Sequence, residues 1–562
     1  MSKLVFKAEN QIKQVIENAV RKAIENGELT DAKLPDFTIE IPSDRSHGDY
    51  ATNVALQSAR IFKVAPQKIA SAICDNIDLQ GTLLKSVDIA GPGFINFTLA
   101  DEYYGEIIND VIKCGDEYGR SDYGKGKKVL VEYVSANPTG PMHVGNARGG
   151  ALGDALCSVL DAAGFFVSRE FYINDAGNQI EKFKTSLEAR YLQLFDDSVE
   201  IPEDAYHGDD IIEHAKNFAK INGEKFVNAD SDDRRNALCE FALPLNIQKL
   251  HDDLEKYRIE YDTWFKESTL HESGAVDEVI EKLRASGYTY EKDGALWFKS
   301  TAFDEEQDRV LVRANGIPTY FVPDIAYHYN KLVVRGFDVA IDVLGADHHG
   351  YIPRMRGALM ALGIEPSRIK PIIMQMVRLV KDGETYKLSK RSGKAITLET
   401  LLEEVPIDAA RMFFNLREPN THLEFDIDLA IAEDSKNPVY YVQYAHARIC
   451  SMLKNIAADG FEPKDMAVNE LNVLNTSEER ELVRYIASYT GQIVEAAKEH
   501  NPSILTRYAI ELATLFHKFY NACPVKSADE DLKYARLSLC VATKTVLSNV
   551  LKLLKINAPE SM

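Results

Sequence analysis

Ile12, Val15, Ile16, Ala19 and Ala23 recur at helical spacing, and Gly27 follows them as a C-cap, so the chain is expected to open on an amphipathic helix. DFTIEIP (Asp36 to Pro42) and INFTL (Ile95 to Leu99) read as strands with helical stretches between them, giving a small α+β domain over residues 1–118. YGRSDYGKGKK (Tyr118 to Lys128) is rich in glycine and charge and reads as a linker. KVLVEYVS (Lys128 to Ser135) is the near-continuous apolar run of a buried parallel strand, broken by Asn137, Pro138 and Gly140. A helix is predicted from after His143 to about Ala163, with Leu152, Leu156, Val159 and Leu160 on one face, Gly164 ending it, and the strand FFVSREFYI next. This β-turn-α-β order opens a nucleotide-binding sheet with right-handed crossovers. An acidic helical stretch over about 192–283 reads as an insertion, after which strands are expected in ALWFKS, YFVPDI and VAIDVLGAD. From about residue 436 the pattern is helical only, with Leu482, Ile486, Tyr489 and Ile493 in register, as in an antiparallel bundle.

The fold class is therefore a multidomain α/β protein. It has a Rossmann-like parallel-sheet domain over 119–435, an N-terminal α+β domain, and a C-terminal all-α helix-bundle domain over 436–562. At 562 residues the chain exceeds one comfortable core, and its 45% apolar and 27% charged residues are those of a soluble globular protein. No apolar run reaches the roughly 18 residues of a membrane span, and the acidic residues in the first helix argue against a signal or transit peptide. Seven scattered cysteines without a CxxC pair suit reduced thiols in the cytoplasm. A net charge of −21 argues against general nucleic-acid adhesion and leaves room only for selective, salt-sensitive binding through a local basic surface.

The candidate chemistry lies in two distant stretches, MHVGNARGG (Met142 to Gly150) and YKLSKRSG (Tyr386 to Gly393). The first puts an imidazole and a glycine at a strand-to-helix turn, where N–H groups can face phosphates. The second carries Lys387, Lys390 and Arg391 on a short loop suited to charge on a triphosphate. Together they resemble the HIGH and KMSKS motifs of class I aminoacyl-tRNA synthetases. The resemblance implies an ATP site with His143, Gly145, Asn146, Val377, Lys387 and Lys390. Asn146 stands where the motif usually has a second histidine, so it can donate to a phosphate but carries no charge. GADHHGY (Gly345 to Tyr351) suggests a metal site, but adjacent histidines on a regular strand cannot both face one ion. Asp347 and His349 are placed beside the nucleotide instead, with Mg2+ carried on ATP rather than held in a dedicated site.

Over most of its length the sequence resembles the arginyl-tRNA synthetases. The match is carried by VEYVSANPTGPMHVGNARGG, EFYINDAGNQI, IPTYFVPDIAYHYNK, GADHHGY and NPVYYVQYAHAR. In that family the positions of Glu132, Asn137, Tyr320 and Asp324 contact L-arginine. Two acids on different strands also suit a guanidinium, which takes planar carboxylate partners in a partly dry pocket. The structural alternative for Glu132 is an internal salt bridge to Arg148 or Arg313. The resemblance assigns Tyr441, Tyr444 and Arg448 to the anticodon end of tRNA(Arg), although such a stripe is by default core. It assigns Phe94, as an exposed ring, and Asn96 to the tRNA elbow. It further implies a cytoplasmic monomer that binds no membrane and that activates arginine with ATP once tRNA is bound. The rivals are another class I synthetase, a small-molecule nucleotidyltransferase, and a non-catalytic tRNA-binding paralogue.

Overall fold

The computed structural model describes residues 4–42, 47–386 and 396–562. Helix α1 (Leu4–Glu25) buries Ile12, Ile16, Ala19 and Ala23, and Gly27 turns the chain at φ 74° as its spacing predicts. Strands β1 (Ile39–Glu40) and β2 (Tyr50–Thr52), helices α2 (Val54–Phe62) and α3 (Pro66–Asn76), and strands β3 (Leu84–Ala90) and β4 (Phe94–Leu99) complete the N-terminal domain. Its antiparallel sheet has the order β1-β2-β4-β3. DFTIEIP supplies only the two-residue strand β1.

Five parallel strands form the centre: β5 (Lys128–Glu132), β6 (Phe166–Ile173), β7 (Thr263–Lys266), β11 (Val339–Gly345) and β12 (Ile369–Met374), in the order β12-β11-β5-β6-β7. The chain grows first from β5 towards β7 and then resumes on the other side with β11. The switch therefore falls between β5 and β11, where crevices open in sheets of this kind. Helix α5 (Val144–Ala162) makes the first crossover. Helices α6 (Asn178–Leu192), α7 (Asp209–Asn222) and α8 (Ser231–Lys256) follow β6 and enclose a small core of their own around Phe183, Leu187, Tyr191, Phe218 and Leu238. The sequence places the insertion over about 192–283, but β7 lies inside that range and belongs to the main sheet, pairing with Glu170 to Ile173.

Beyond helices α9 (Ser268–Glu272) and α10 (Ala275–Ala285), strands β8 (Thr289–Lys292), β9 (Ala295–Phe298) and β10 (Arg309–Val312) make a separate antiparallel sheet. ALWFKS is thus a strand, but not one of the nucleotide sheet. YFVPDI is not a strand: Phe321–Tyr329 is helix α11. Pro323 sits in its first turn, where a missing N–H costs nothing, so a run that reads as β by composition is free to be helical. Helix α12 (Ile352–Ala361) precedes β12, and β13 (Val377–Lys381) then pairs with β14 (Glu384–Thr385) and β15 (Leu423–Asp426). Helices α13 (Leu398–Glu404), α14 (Ile407–Phe414) and α15 (Ile427–Ile431) lead into the C-terminal bundle.

The bundle comprises α16 (Pro438–Ala458), α17 (Ser477–Ala487), α18 (Tyr489–Lys498), α19 (Ser503–Ala522) and α20 (Glu530–Leu553). The stripe from Leu482 to Ile493 is shared by two helices that part at Ser488, whose hydroxyl donates to Tyr485 O. Helix α4 (Asp101–Cys114), expected within the first domain, packs on α17 and α20. Arg480 donates to Asp101 at 2.7 Å, Asn109 to Met466 O at 2.9 Å, and Asn549 to Gly115 O at 2.9 Å. Deleting residues 1–99 spares this helix, whereas deleting 1–118 strips buried Tyr104, Ile107, Ile108 and Val111 from the bundle. At about 1.5–3 kcal/mol per large side chain, the longer deletion should melt at least about 10 °C below the shorter one in a calorimeter. Equal melting points would mean that α4 is not part of the bundle core.

Candidate active site

Parallel register sets Asp342, Glu132 and Glu170 side by side on β11, β5 and β6. Neighbouring strands lie about 4.8 Å apart, so three acids in a row demand compensation. It comes from α11 and the π-helical turn after it, Asn330–Val334. Lys331, fully buried, donates to Glu132 at 2.5 Å and to Asp342 at 2.8 Å. Arg335 grips Glu170 with both terminal nitrogens, and the Tyr327 hydroxyl donates to the same carboxylate at 2.6 Å. His328 Nδ1 lies 2.8 Å from Asp324 O and its Nε2 lies 3.0 Å from Asp342 Oδ2. Both neighbours only accept, so both ring nitrogens donate and the imidazole is cationic. Burial works against that charge, but the Asp342 carboxylate holds the His328 pKa above its ordinary value. Asp342 is correspondingly depressed: burial opposes this, and Lys331 and His328 outweigh it. Glu132 does have an internal salt bridge, but its cation is Lys331 rather than Arg148 or Arg313.

Asp324 is left over from this balance. It lies half-buried in the first turn of α11, and the Tyr351 hydroxyl donates to its Oδ2 at 2.6 Å. Burial pushes its carboxyl up; the Tyr351 hydrogen bond and the His328 charge pull the other way, and Glu132 adds to the rise. Glu267, which sequence reasoning passed over, follows β7 and is 6% exposed. Its carboxyl is also raised, first by burial, then lowered by the Tyr172 hydroxyl and raised again by the charge of Asp324. Among the described residues neither acid is ion-paired with a lysine or arginine; only His271 approaches Glu267, at 3.7 Å. An acid just past an apolar strand was the available signal. Tyr320 sits one turn before Asp324, 56% exposed, and accepts from the N–H of Asn178 at 3.1 Å. Gly177 permits this approach, since a Cβ there would come within 3.1 Å of the Tyr320 ring. Exposed Asn137 follows a kink in which Val134 and Ser135 both adopt left-handed backbone, φ 69° and 39°. Such conformations cost about 1–3 kcal/mol each and collect at functional sites. The Ser135 hydroxyl helps to hold the kink, donating to Glu132 at 2.8 Å.

On the far side of β5, His143 caps α5. Its Nδ1 accepts from the Gly145 N–H at 3.1 Å, and its own N–H donates to Asn146 Oδ1 at 3.0 Å. With Nδ1 accepting, the neutral ring carries its proton on Nε2, and partial burial lowers its pKa in the same sense. A side chain at position 145 would stand 2.9 Å from the imidazole Cε1, so the glycine is what lets the ring fold back. Lys387, Lys390 and Arg391 lie outside the described residues. The chain returning from them nevertheless meets the first motif: Thr397 bridges His143, and Leu398 N donates to Met142 O at 2.8 Å. Arg148, 1% exposed, donates to the carbonyls of Gln375, Glu418 and Thr421 at 2.7, 3.0 and 3.1 Å and so binds α5 to the approach of β13. Half-buried Val377 opens β13. Exposed Asp347 lies in the 3-10 segment Ala346–Tyr351 at the end of β11, which also includes position 349.

The remaining candidates lie far along the chain from this crevice. Tyr444, 36% exposed, stacks on Tyr440 with ring centroids 6.3 Å apart, and Arg448 lies over it at 4.6 Å and over Tyr520 at 5.0 Å. Tyr441 turns inward, its hydroxyl 3.3 Å from Thr514 Oγ1, so the surface stripe is Tyr440, Tyr444 and Arg448 rather than the expected trio. Phe94 is 39% exposed at the β3–β4 turn, but Asn96 is buried at 8% in the middle strand and offers no surface amide.

Lys331 gives the clearest test of the charge balance. Lys331→Met leaves Glu132 without its cation and Asp342 with His328 alone, and should cost about 3–5 kcal/mol in denaturant unfolding at pH 7. Because Asp342 is depressed in the fold, its contribution is complete above the unfolded value of about 3.9 and is lost as pH falls towards the folded one. The gap between wild type and variant should therefore narrow in acid; a gap independent of pH would refute the ion-pair account.

Three family models match this chain. The model described as tRNA synthetases class I (R), catalytic domain, matches residues 108–450. The arginyl tRNA synthetase N terminal domain matches 10–99, and the DALR anticodon binding domain matches 442–562. The chain is 52% identical over 562 residues to the arginine–tRNA ligase of Caldanaerobacter subterraneus, covering 100% of both. It is 50% identical over 564 residues to that of Acetivibrio thermocellus, again covering 100% of both. The solved Thermus thermophilus arginyl-tRNA synthetase shares the fold, with a TM-score of 0.75 over 98% of this chain and 100% of that one, at 22% identity. With a catalytic-domain match over 108–450 and half of all positions shared end to end, this chain belongs to the class I arginyl-tRNA synthetases.

Proposed function

We propose that the crevice between β5 and β11 holds ATP and L-arginine in line, with the guanidinium between Asp324 and Glu267. The chain is an arginine–tRNA ligase, and the observation that carries this reading of its pocket is the pair of desolvated acids without a lysine or arginine partner. The three acids of the row are met by Lys331, Arg335 and His328. The charge still missing is one planar cation, which arginine supplies with bidentate geometry. Tyr320 closes the pocket from solvent, and Glu132 and Asn137 form its wall at the end of β5. Glutamate and glutamine do not carry that cation.

At the other end, the N–H groups at the start of α5 and the Nε2 proton of His143 face the triphosphate, with the Asn146 amide beside them. Lys387 and Lys390 meet the departing pyrophosphate, Val377, Asp347 and His349 flank the nucleotide, and Mg2+ travels on the phosphates. The arginine carboxylate attacks the α-phosphorus and expels pyrophosphate, and the terminal ribose hydroxyl of tRNA then takes the arginyl group from AMP. Positioning and charge stabilisation do the chemistry. Tyr444 and Arg448 stack on unpaired anticodon bases, Tyr441 supports them, and the exposed Phe94 ring at the β3–β4 turn meets the tRNA elbow. We assign this work to a monomer in the cytoplasm.

ATP–pyrophosphate exchange, measured for each amino acid with and without tRNA(Arg), tests the reading; exchange driven by another amino acid but not by arginine would overturn it. Asp324→Asn should lower kcat/KM for arginine about 30- to 1,000-fold, the scale of a charge-assisted pair. ATP affinity should hardly change, and discrimination against citrulline should shrink. Lys390→Ala should slow adenylate formation by roughly 10²–10³ with arginine affinity intact. Loss of arginine affinity in that variant would remove it from the phosphate end.

A further inference from the structure

Asp324 acts only if it is both ionised and aimed, and its burial works against the first. Burial disfavours its charge, and the acids Glu132 on β5 and Glu267 after β7 add to that. His328 on α11 and Lys331 on the following turn favour it, but both are committed to Asp342. Tyr172 on β6 also lies within electrostatic reach of the acid. The remaining group is Tyr351, the last residue of the Ala346–Tyr351 segment, whose hydroxyl donates directly to Asp324 Oδ2 at 2.6 Å. Its ring is held from two sides, edge-on to Phe321 at 6.1 Å and beneath the Arg354 guanidinium at 5.5 Å. The hydroxyl is therefore aimed by packing, independently of any substrate.

We propose that Tyr351 is a positioning residue for arginine: by occupying Oδ2 it fixes the Asp324 carboxylate and turns Oδ1 to the guanidinium. The inference rests on the reading of Asp324 as an arginine contact. A donor to a carboxylate favours the charged form, and among the influences on Asp324 the Tyr351 hydrogen bond is the first that opposes burial. Without the hydroxyl the acid takes up a proton at higher pH and swings more freely. Both effects weaken arginine binding and leave the nucleotide untouched.

Tyr351→Phe keeps the ring and its packing and removes only the hydroxyl. In the full chain with tRNA(Arg), KM for arginine should rise about 10-fold or more, the scale of one hydrogen bond to a charged group. The kcat and the KM for ATP should change less than about threefold on that scale. The acid limb of kcat/KM for arginine should move to higher pH, because the proton that blocks Asp324 then binds more tightly. In an Asp324→Asn background the same substitution should produce no shift of that limb. A raised KM with an unmoved acid limb would make Tyr351 a packing residue and overturn the inference. So would an equal shift in the Asn background. If Asp324→Asn itself leaves arginine kinetics unchanged, the pocket reading fails instead, and the two failures are told apart by that single variant. A lowered melting temperature in Tyr351→Phe together with equal losses for ATP and arginine would also count against the inference.

Discussion

Three carboxylates lie abreast across the centre of the parallel sheet, and everything at the crevice depends on how that charge is met. At about 5 Å and an effective dielectric near 20, neighbouring like charges repel by roughly 3 kcal/mol. The sheet bears Asp342, Glu132 and Glu170 in one register only because α11 and its π turn bring His328, Lys331 and Arg335 down onto them. The π turn matters here. Across it Lys331 reaches β5 and β11, and Arg335, four residues on, reaches β6. Once those contacts are made α11 has one seat, and Asp324 in its first turn is delivered to the end of β5. The proposed arginine pocket is thus aligned by buried ion pairs, of whose residues only Glu132 lines it.

Much of this could be read from the sequence, and the limits have physical causes. Local periodicity was sufficient for α1, for the crossover β5-α5-β6, and for the helical bundle, because those patterns repeat over many residues. The oddness of Glu132 in an apolar strand was also legible, but its cation lies 199 positions away, and no spacing rule encodes such a pairing. The alternatives weighed, Arg148 and Arg313, were near in motif or strand rather than in space. YFVPDI misled because branched and aromatic residues suit a strand and a buried first helical turn alike. β7 was missed because four residues inside a long helical region give too short a pattern. Asn96 was paired with Phe94 two residues before it on the same strand face, but Phe94 stands at the end of that strand, whereas Asn96 lies further in and is 8% exposed.

The first motif is joined to segments flanking the second, about 240 residues on, through main chain as much as through side chains. Thr397 and Leu398 fasten the return from the second motif onto Met142 and His143. Arg148 fastens the approach to it. One helix start therefore receives the second segment at both of its ends.

Arg148 has a further consequence. A carbonyl can satisfy a guanidinium's hydrogen bonds, but it cancels none of its charge, and among the described residues no carboxylate is ion-paired with this one. Burial lowers its pKa only to about 10, so it remains a cation at neutrality. The first turn of α5 thus gains a whole buried charge beneath the partial charge that its free N–H groups already present. On a chain of net charge −21, most of the surface repels a polyanion. A buried cation behind a helix start, with low-dielectric walls around it, is the arrangement that focuses positive field outward. Among the described residues, the acidity of the rest of the chain then sets this helix start apart as a place where an anion meets uncancelled positive charge.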